Sequence, residues 1–286
     1  EAGNALSGLT VTLTDRDGNV LTAEADGTFQ LGYGPYSYAA EQLGYVRTGG
    51  TFQLGSADAS KVENGVITIK FTVRKAAANA WDGKTVSEPA TDENGVYLIG
   101  TGAELAWFAQ KVNAGSAKLS GILTADIDLA GYEWTPIGTS SKKFSGSFDG
   151  RNHTVDNLSI HYNDTRTVPP YCGLFGWVTG ANADNRARIE NLTVNGTVVV
   201  GSPKSVSKAY SGGIIGRADY ADLTNLHANV DVSVNRTSGT WDSVGGVVGA
   251  IYYGTNVVNC SNTGSISGWR YCAGIVGNIE SGAKPS

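Results

Sequence analysis

Four aspartates are the first residues whose spacing suggests chemistry. Asp126 and Asp128 stand two apart in A-D-I-D-L, and Asp149 (S-F-D-G) and Asp156 (V-D-N-L) follow. Side chains two apart on a strand share a face. Paired carboxylates on an exposed sheet are what glycoside hydrolysis uses, one as acid and the other as base or nucleophile. A glycosidase or lyase reading would need Asp126, Asp128 or Asp149 exposed in a cleft. The same residue types also hold turns and corners, and that reading needs no partner group.

Other chemistries find less support. The histidines are His153, His161 and His227, with no H-E-x-x-H and no C-x-x-C pair, so the sequence predicts no metal centre. There is no G-x-S-x-G elbow and no arguable serine–histidine–acid set. Asp15, Asp17 and Asn19 have the spacing at which a calcium loop begins, but the later acidic ligands are missing, and a plain turn accounts for them. Three cysteines, Cys172, Cys260 and Cys272, argue against a disulfide framework. Cys260 and Cys272 pair only if neighbouring strands bring them together; small, buried, reduced side chains are the simpler reading. No cofactor and no enzymatic activity are expected.

Aromatic residues offer binding instead. Trp134, Trp177, Trp241, Trp269, Tyr252, Tyr253 and Tyr271 are spread along the second half. In I-Y-Y-G, Tyr252 and Tyr253 point to opposite faces if the chain is extended, so one of them is exposed. Tyr252, Tyr253 and Trp269 are the candidate binding residues, for a sugar or a protein. Packing in the core or under a loop is the competing reading, and Trp177 after G-L-F-G fits the latter.

The elements that would position these residues differ between the two ends of the chain. In residues 1–76, L-T-V-T-L-T-D-R-D-G-N-V-L-T alternates on both sides of a turn and reads as a hairpin. Gly27–Leu31, Tyr36–Tyr45, Gly50–Leu54 and Gly65–Val73 continue the pattern, predicting a small antiparallel β-sandwich. Residues 77–80 form a linker. In residues 81–286, Thr101 and Glu104 make a capping box, and Leu105, Phe108, Ala109 and Val112 fall on one helical face. Asn113-Ala114-Gly115 stops that helix, so a lid over residues 101–114 is expected at one end of a β region.

Beyond the lid the sequence repeats. Asn157, Asn191, Asn225 and Asn259 each follow the last by 34 residues. Glycine-flanked apolar pairs recur between them, as G-L-F-G, G-G-I-I-G, G-G-V-V-G and A-G-I-V-G. A constant period with one short strand at each mark predicts a solenoid of stacked parallel strands. Leu158, Leu192, Leu226 and Cys260 are then expected in one inward column, and Ile160 with Val194 in a second. The four asparagines would form a turn-to-turn amide ladder. Several of the N-x-S/T triplets (Asn152, Asn157, Asn163, Asn191, Asn195, Asn235 and Asn259) coincide with it and read as a by-product of composition.

Two resemblances follow. The order G-L-T-V-T-L-T-D-R-D-G, D-G-T-F-Q-L, Y-S-Y, G-Y from Ser7 to Val73 resembles the transthyretin-like or carboxypeptidase-regulatory-like modules of bacterial surface proteins, which implies a spacer or stalk. Relatives of that module form a Lys–Asn isopeptide bond, but the first strand here has no lysine. From Trp81 to Gly277, LTADIDLAGYEWTPIG, FSGSFDGRNHTVDNLSI, CGLFGWV, IENLTVNGTV and GGIIG resemble the GLUG-repeat β-helix of Gram-positive surface proteins. That resemblance implies a right-handed parallel β-helix found in adhesins, in the non-catalytic front part of IgA-specific metallopeptidases, and beside carbohydrate-active domains.

The two resemblances imply an extracellular bacterial module, and the totals bound it further. Among 286 residues, 39 are glycine, none is methionine and the net charge is −5. No basic run offers a nucleic-acid footprint, and no apolar run of about 18 residues offers a membrane span. The start EAGNALSG is not a signal peptide. The missing initial methionine and the lack of a cap after CAGIVGNIESGAKPS lead us to expect an excised piece whose C-terminal end continues or meets another chain. The expected function is structural or adhesive, displaying a surface to a host glycan or protein. The alternative is an accessory region of a large secreted enzyme acting on glycans or immunoglobulin, and a β-helix glycosidase or lyase comes third.

Overall fold

Contacts divide the chain into two units, Glu1–Ala78 and Asn79–Ser286. The computed structural model describes residues 8–61, 66–70, 72–162, 171–201, 208–234 and 241–280. Asn163 and Asn235, and residues 1–7 and 281–286 of the sequence ends discussed above, lie outside the described residues.

The first unit contains β1 (Thr10–Asp15), β2 (Val20–Leu21), β3 (Gly34–Glu41) and β4 (Thr48–Leu54) in one antiparallel sheet of order β2-β1-β3-β4. The β1–β2 turn is held by one carboxylate. Asp15 Oδ1 accepts from the backbone N–H of Asp17 and of Asn19, both at 2.9 Å, and its Oδ2 accepts from Asn19 Nδ2. These bonds, that of the Asn19 side chain foremost, hold the Asp15 carboxyl below its usual pKa. Of the residues with calcium-loop spacing, Asp15 thus spends its carboxylate oxygens on the turn.

Two expected strands do not form. Gly27–Leu31 joins no ladder, because Asp26 accepts from both the backbone N–H and the hydroxyl of Thr28 and Glu24 donates to Thr28 O, tying the segment into a local loop. The described part of Gly65–Val73 forms no strand either. Both segments instead line a cavity of about 610 Å³, together with Val11, Leu13 and Phe52 of the sheet. One four-stranded ladder is therefore present among the described residues where two sheets were expected.

The second unit begins with β5 (Tyr97–Ile99), α1 (Gly102–Ala114), β6 (Ser120–Leu123), β7 (Ile127–Asp128), β8 (Ser147–Asp149) and β9 (Thr154–Tyr162). It continues with β10 (Tyr171–Cys172), β11 (Phe175–Thr179), β12 (Ala187–Val200), β13 (Lys208–Gly212), β14 (Ile215–Asp219) and β15 (Ala221–Val234). The last strands are β16 (Trp241–Gly245), β17 (Val248–Tyr252), β18 (Asn256–Val258), β19 (Ser261–Asn262), β20 (Ile266–Ser267), β21 (Cys272–Ala273) and β22 (Val276–Ile279).

These strands make three parallel sheets. The long sheet runs β18-β15-β12-β8-β6-β5, with β19 and β20 also on β15, β9 on β12, and β7 on β9. Two short sheets run β10-β13-β16-β21 and β11-β14-β17-β22. From β12 onward each pass of the chain adds to all three. The β12–β15 register is unbroken from Ala187↔Ala221 through Leu192↔Leu226 to Val200↔Val234. The apolar alternation of β15 explains its orientation: Leu223, Leu226, Ala228, Val230, Val232 and Val234 are buried. The step between Leu223 and Leu226 is three rather than two because Asn225 takes a left-handed conformation, φ 54°, which bends the strand while keeping both leucines inside.

The lid follows its sequence signals. Thr101 Oγ1 accepts from Glu104 N, and Glu104 Oε2 accepts from the N–H groups of Gly100 and Thr101. Gly115, φ 123°, ends the helix. Leu105, Phe108, Ala109 and Val112 are buried. The ring of Phe108 meets Phe148 at 5.7 Å, and Phe148 meets Phe175 at 5.3 Å, so the lid joins the core of successive passes.

The columns differ from expectation in the first pass. Leu192 and Leu226 are paired, but Leu158 lies opposite Gly196, and Val194 opposite Val155. Ile160 pairs with Val198 rather than Val194. Cys260 is only half-buried. The cause is a longer first pass: Ser147 and its partner Arg188 are 41 residues apart, Thr154 and Thr193 39, and Leu158 and Gly196 38, against 34 between partners of β12 and β15. Chain length between marks stays constant there while the register does not.

Candidate ligand-binding surfaces

The asparagines build two corners rather than one. Asn259 Nδ2 donates to Asn225 Oδ1 at 2.5 Å, Asn225 Nδ2 to Asn191 Oδ1 at 2.8 Å, and Asn191 Nδ2 to Asp149 Oδ1 at 3.0 Å. Asn157 does not belong to this ladder, correcting the expected column of four. It donates to Asp128 Oδ1, and Asn195 donates to Asp156 Oδ1 at a second corner. Asn157, Asn191, Asn225 and Asn259 all have φ between 50° and 58°. Asparagine tolerates this region better than other side chains with a Cβ.

The four aspartates with catalytic spacing are occupied by these corners. Asp128 Oδ1 also accepts from Ala130 N, and Asp149 Oδ1 from Arg151 N, each at 2.8 Å. Asp126 Oδ1 accepts from Thr154 N and contacts His153 Nδ1; the backbone bond foremost, then the histidine, lowers its pKa. Of the other histidines, His161 Nδ1 lies 3.5 Å from Glu133, and His227 Nδ1 lies 2.7 Å from Ser261 Oγ. Among the described residues no group of three or more His, Cys, Asp or Glu side chains is placed to hold a metal.

A groove of about 360 Å³ crosses the outer face of the long sheet, lined by Arg188, Glu190, Asp222, Thr224, Asn256 and Val258. Its walls are two register columns, Arg188↔Asp222↔Asn256 and Glu190↔Thr224↔Val258. Asp222 is already engaged by Asn256 Nδ2 at 2.7 Å. Neither this groove nor the cavity of the first unit is lined by Asp126, Asp128 or Asp149.

The three cysteines are free thiols. Burial raises the pKa of Cys260, and burial with the nearby Asp242 charge raises that of Cys272.

The candidate aromatics divide into three groups. Tyr252 belongs to a partly buried stack. The Arg217 guanidinium lies between the rings of Trp177 (4.1 Å) and Tyr252 (3.8 Å), and Lys143 covers Trp177 at 3.9 Å. Arg217 is fixed by a bidentate pair with Asp219, at 2.9 and 3.0 Å. Burial opposes the Arg217 charge, and the bonds and charge of Asp219 outweigh it, so its pKa is raised. Tyr252 also meets Tyr210, hydroxyl to hydroxyl at 3.3 Å, and burial foremost, then that contact, raises its pKa far above the usual tyrosine value. Tyr252 is therefore bound into an internal column.

Tyr253 adjoins that column, its ring centre 6.0 Å from that of Tyr252, but faces solvent. It is 46% exposed and stacks on Tyr220 at 5.4 Å. Its φ of 47° means that the chain is not extended there, so the simple opposite-face argument does not apply to the Tyr252–Tyr253 pair. Trp269 is 54% exposed and lies in a third group, on the segment leading to β21. Nearby, Trp241 and Tyr271 stack at 6.0 Å with 17° between their planes, and the Arg270 guanidinium stands 4.9 Å from the Trp241 ring centre. Sequence reading noted Trp241 and Tyr271 but did not single them out, because their pairing depends on which strands become neighbours.

No protein-family model, no curated protein and no solved structure matches this chain.

Proposed function

We propose that residues 81–286 are a right-handed parallel β-helix of the GLUG-repeat kind, that residues 1–76 are a spacer built on one antiparallel sheet, and that together they form an extracellular structural and adhesive module of a bacterial surface protein. The module presents its side chains to host or matrix ligands. The observation that carries this reading is the unbroken β12–β15 register joined to the Asp149–Asn191–Asn225–Asn259 ladder. Such a lattice fixes outward side chains at strand spacing on a stiff support, which suits display. Exposed rings on that lattice, Tyr253, Trp269, Trp241 and Tyr271, add the surface that a partner would use.

The test is binding of the chain to a glycan array, purified mucin and IgA. A specific hit lost on Tyr253→Ala or Trp269→Ala supports display by this face. Silence across the whole panel overturns the adhesive part and leaves a spacer.

A further inference from the structure

Exposed aromatic surface is concentrated at one corner of the second unit. Trp241 is 49% exposed, Trp269 54% and Tyr271 43%. Large rings left in water forgo burial of roughly 150–250 Å² each, and contiguous exposed apolar patches mark interaction sites. Tyr271 adds a second observation. Its φ is 42°, a left-handed conformation that glycine or asparagine takes more cheaply. A bulky ring kept there, and stacked on Trp241 across neighbouring strands, points to a use for the ring itself. Register and hydrogen bonding lock the pair: Val244 N donates to Tyr271 O at 2.9 Å, and Lys208 pairs with Trp241 on the adjacent strand.

The charges select the ligand. Arg270 stands over the Trp241 ring and Lys208 beside that residue, and both are exposed. Neither has an ion-pair partner among the described residues, in a chain whose net charge is −5. A neutral sugar would cover the rings while taking water from two unpaired cations. A sugar carrying a carboxylate supplies their partner, and a guanidinium receives a carboxylate with two parallel hydrogen bonds. Two cations are too few to hold a polyphosphate chain against salt.

We propose that Trp241, Tyr271 and Arg270, with Lys208 beside them, form a binding site for a carboxylate-bearing saccharide. The sugar ring lies along the exposed faces of the offset ring pair and its carboxylate meets the guanidinium. This rests on the display reading above and names the ligand class for it; it places the site at the β16–β21 edge rather than at Tyr252 and Tyr253.

The experiment is saturation-transfer NMR and calorimetry on the full chain with 3′-sialyllactose, trigalacturonate and lactose. Both acidic probes, or one of them, are expected to bind at least tenfold more tightly than lactose, and which one binds identifies the source of the carboxylate. Arg270→Gln should bring acidic probes to the lactose level. Tyr271→Gly should weaken binding at least tenfold while leaving thermal stability unchanged or higher, since glycine suits that backbone, and Trp241→Ala should do the same to binding. Equal affinity for lactose, or acidic-probe binding that survives Tyr271→Gly, overturns this proposal. If the loss follows Tyr253→Gly instead, the proposed site is wrong and the display reading stands. If no saccharide, mucin or IgA binds, both fail.

Discussion

Asn225 shows how much one residue carries at a corner. It accepts from Asn259, donates to Asn191 and holds φ 54°. Two side-chain hydrogen bonds are worth about 1 kcal/mol each, and a left-handed residue with a Cβ adds roughly 1–2 kcal/mol. Asn225→Ala should therefore destabilise by about 3–4 kcal/mol in urea unfolding. Asn225→Gly, which relieves the backbone but not the ladder, should cost about half of that; equal losses for the two would show that the backbone term is negligible. A second residue-scale prediction concerns Asp82. Its carboxylate accepts from the Thr85 hydroxyl and from the N–H groups of Thr85 and Lys84, and those bonds lower its pKa from 3.8 to about 2. The folded value is depressed, so this stabilisation is complete above the unfolded pKa and is lost as pH falls from about 4 through about 2. Trp81, whose indole N–H donates to Thr85 O, reports the loss. Its NMR signal should shift in that window in the wild type and not in Asp82→Asn; the same shift in the variant would assign it to another group.

At the scale of elements, the glycine motifs are close contacts between successive passes, at the corners that join the two short sheets. A Cβ at Gly246 would come 2.0 Å from Gly274 O, whereas a Cβ at Gly274, the same motif position one pass later, meets nothing within 4 Å. Gly246→Ala should destabilise by about 1–3 kcal/mol, since the Gly274 backbone and the Asn262 side chain must move. Gly274→Ala should stay within about 0.5 kcal/mol of the wild type. A matching loss at both positions, measured by thermal unfolding, would mean that intrinsic glycine conformation, not packing against the next pass, explains the motif. Val247 and Val248 between these glycines are fully buried, as the G-G-V-V-G pattern suggests. The capping box of α1 was equally legible, because each of its bonds joins residues within one turn of helix.

For the second unit as a whole, the register makes residues 187–220 one removable pass, with Ala187 replaced in its ladder by Ala221. Excising them should place Asn225 over Asp149 and Asp222 beside Ser147. A stacked-repeat architecture predicts cooperative urea unfolding with a proportionately smaller m-value. Loss of cooperative unfolding in the excised chain would count against the proposed β-helix. In unit one the comparable lesson is the loop at Gly27–Leu31: alternation suggested a strand, but Asp26 and Glu24 bind Thr28 locally first.

The sequence by itself determined what short-range patterns dictate. It showed strand-rich composition, one capped helix and buried glycine-flanked valines, each of which depends on neighbours a few residues apart, and its 34-residue repeat pointed to asparagines at corners. It also singled out Tyr252, Tyr253 and Trp269 among the aromatics, but not their surroundings. Only the tertiary structure decided that Tyr252 is clamped against Arg217, that Asn157 pairs with Asp128 outside the main ladder, and that Trp241 meets Tyr271. Those contacts depend on register between passes. Between β8 or β9 and β12 that register runs from 41 residues at Ser147↔Arg188 to 38 at Leu158↔Gly196, not the 34 residues that separate Asn157 from Asn191.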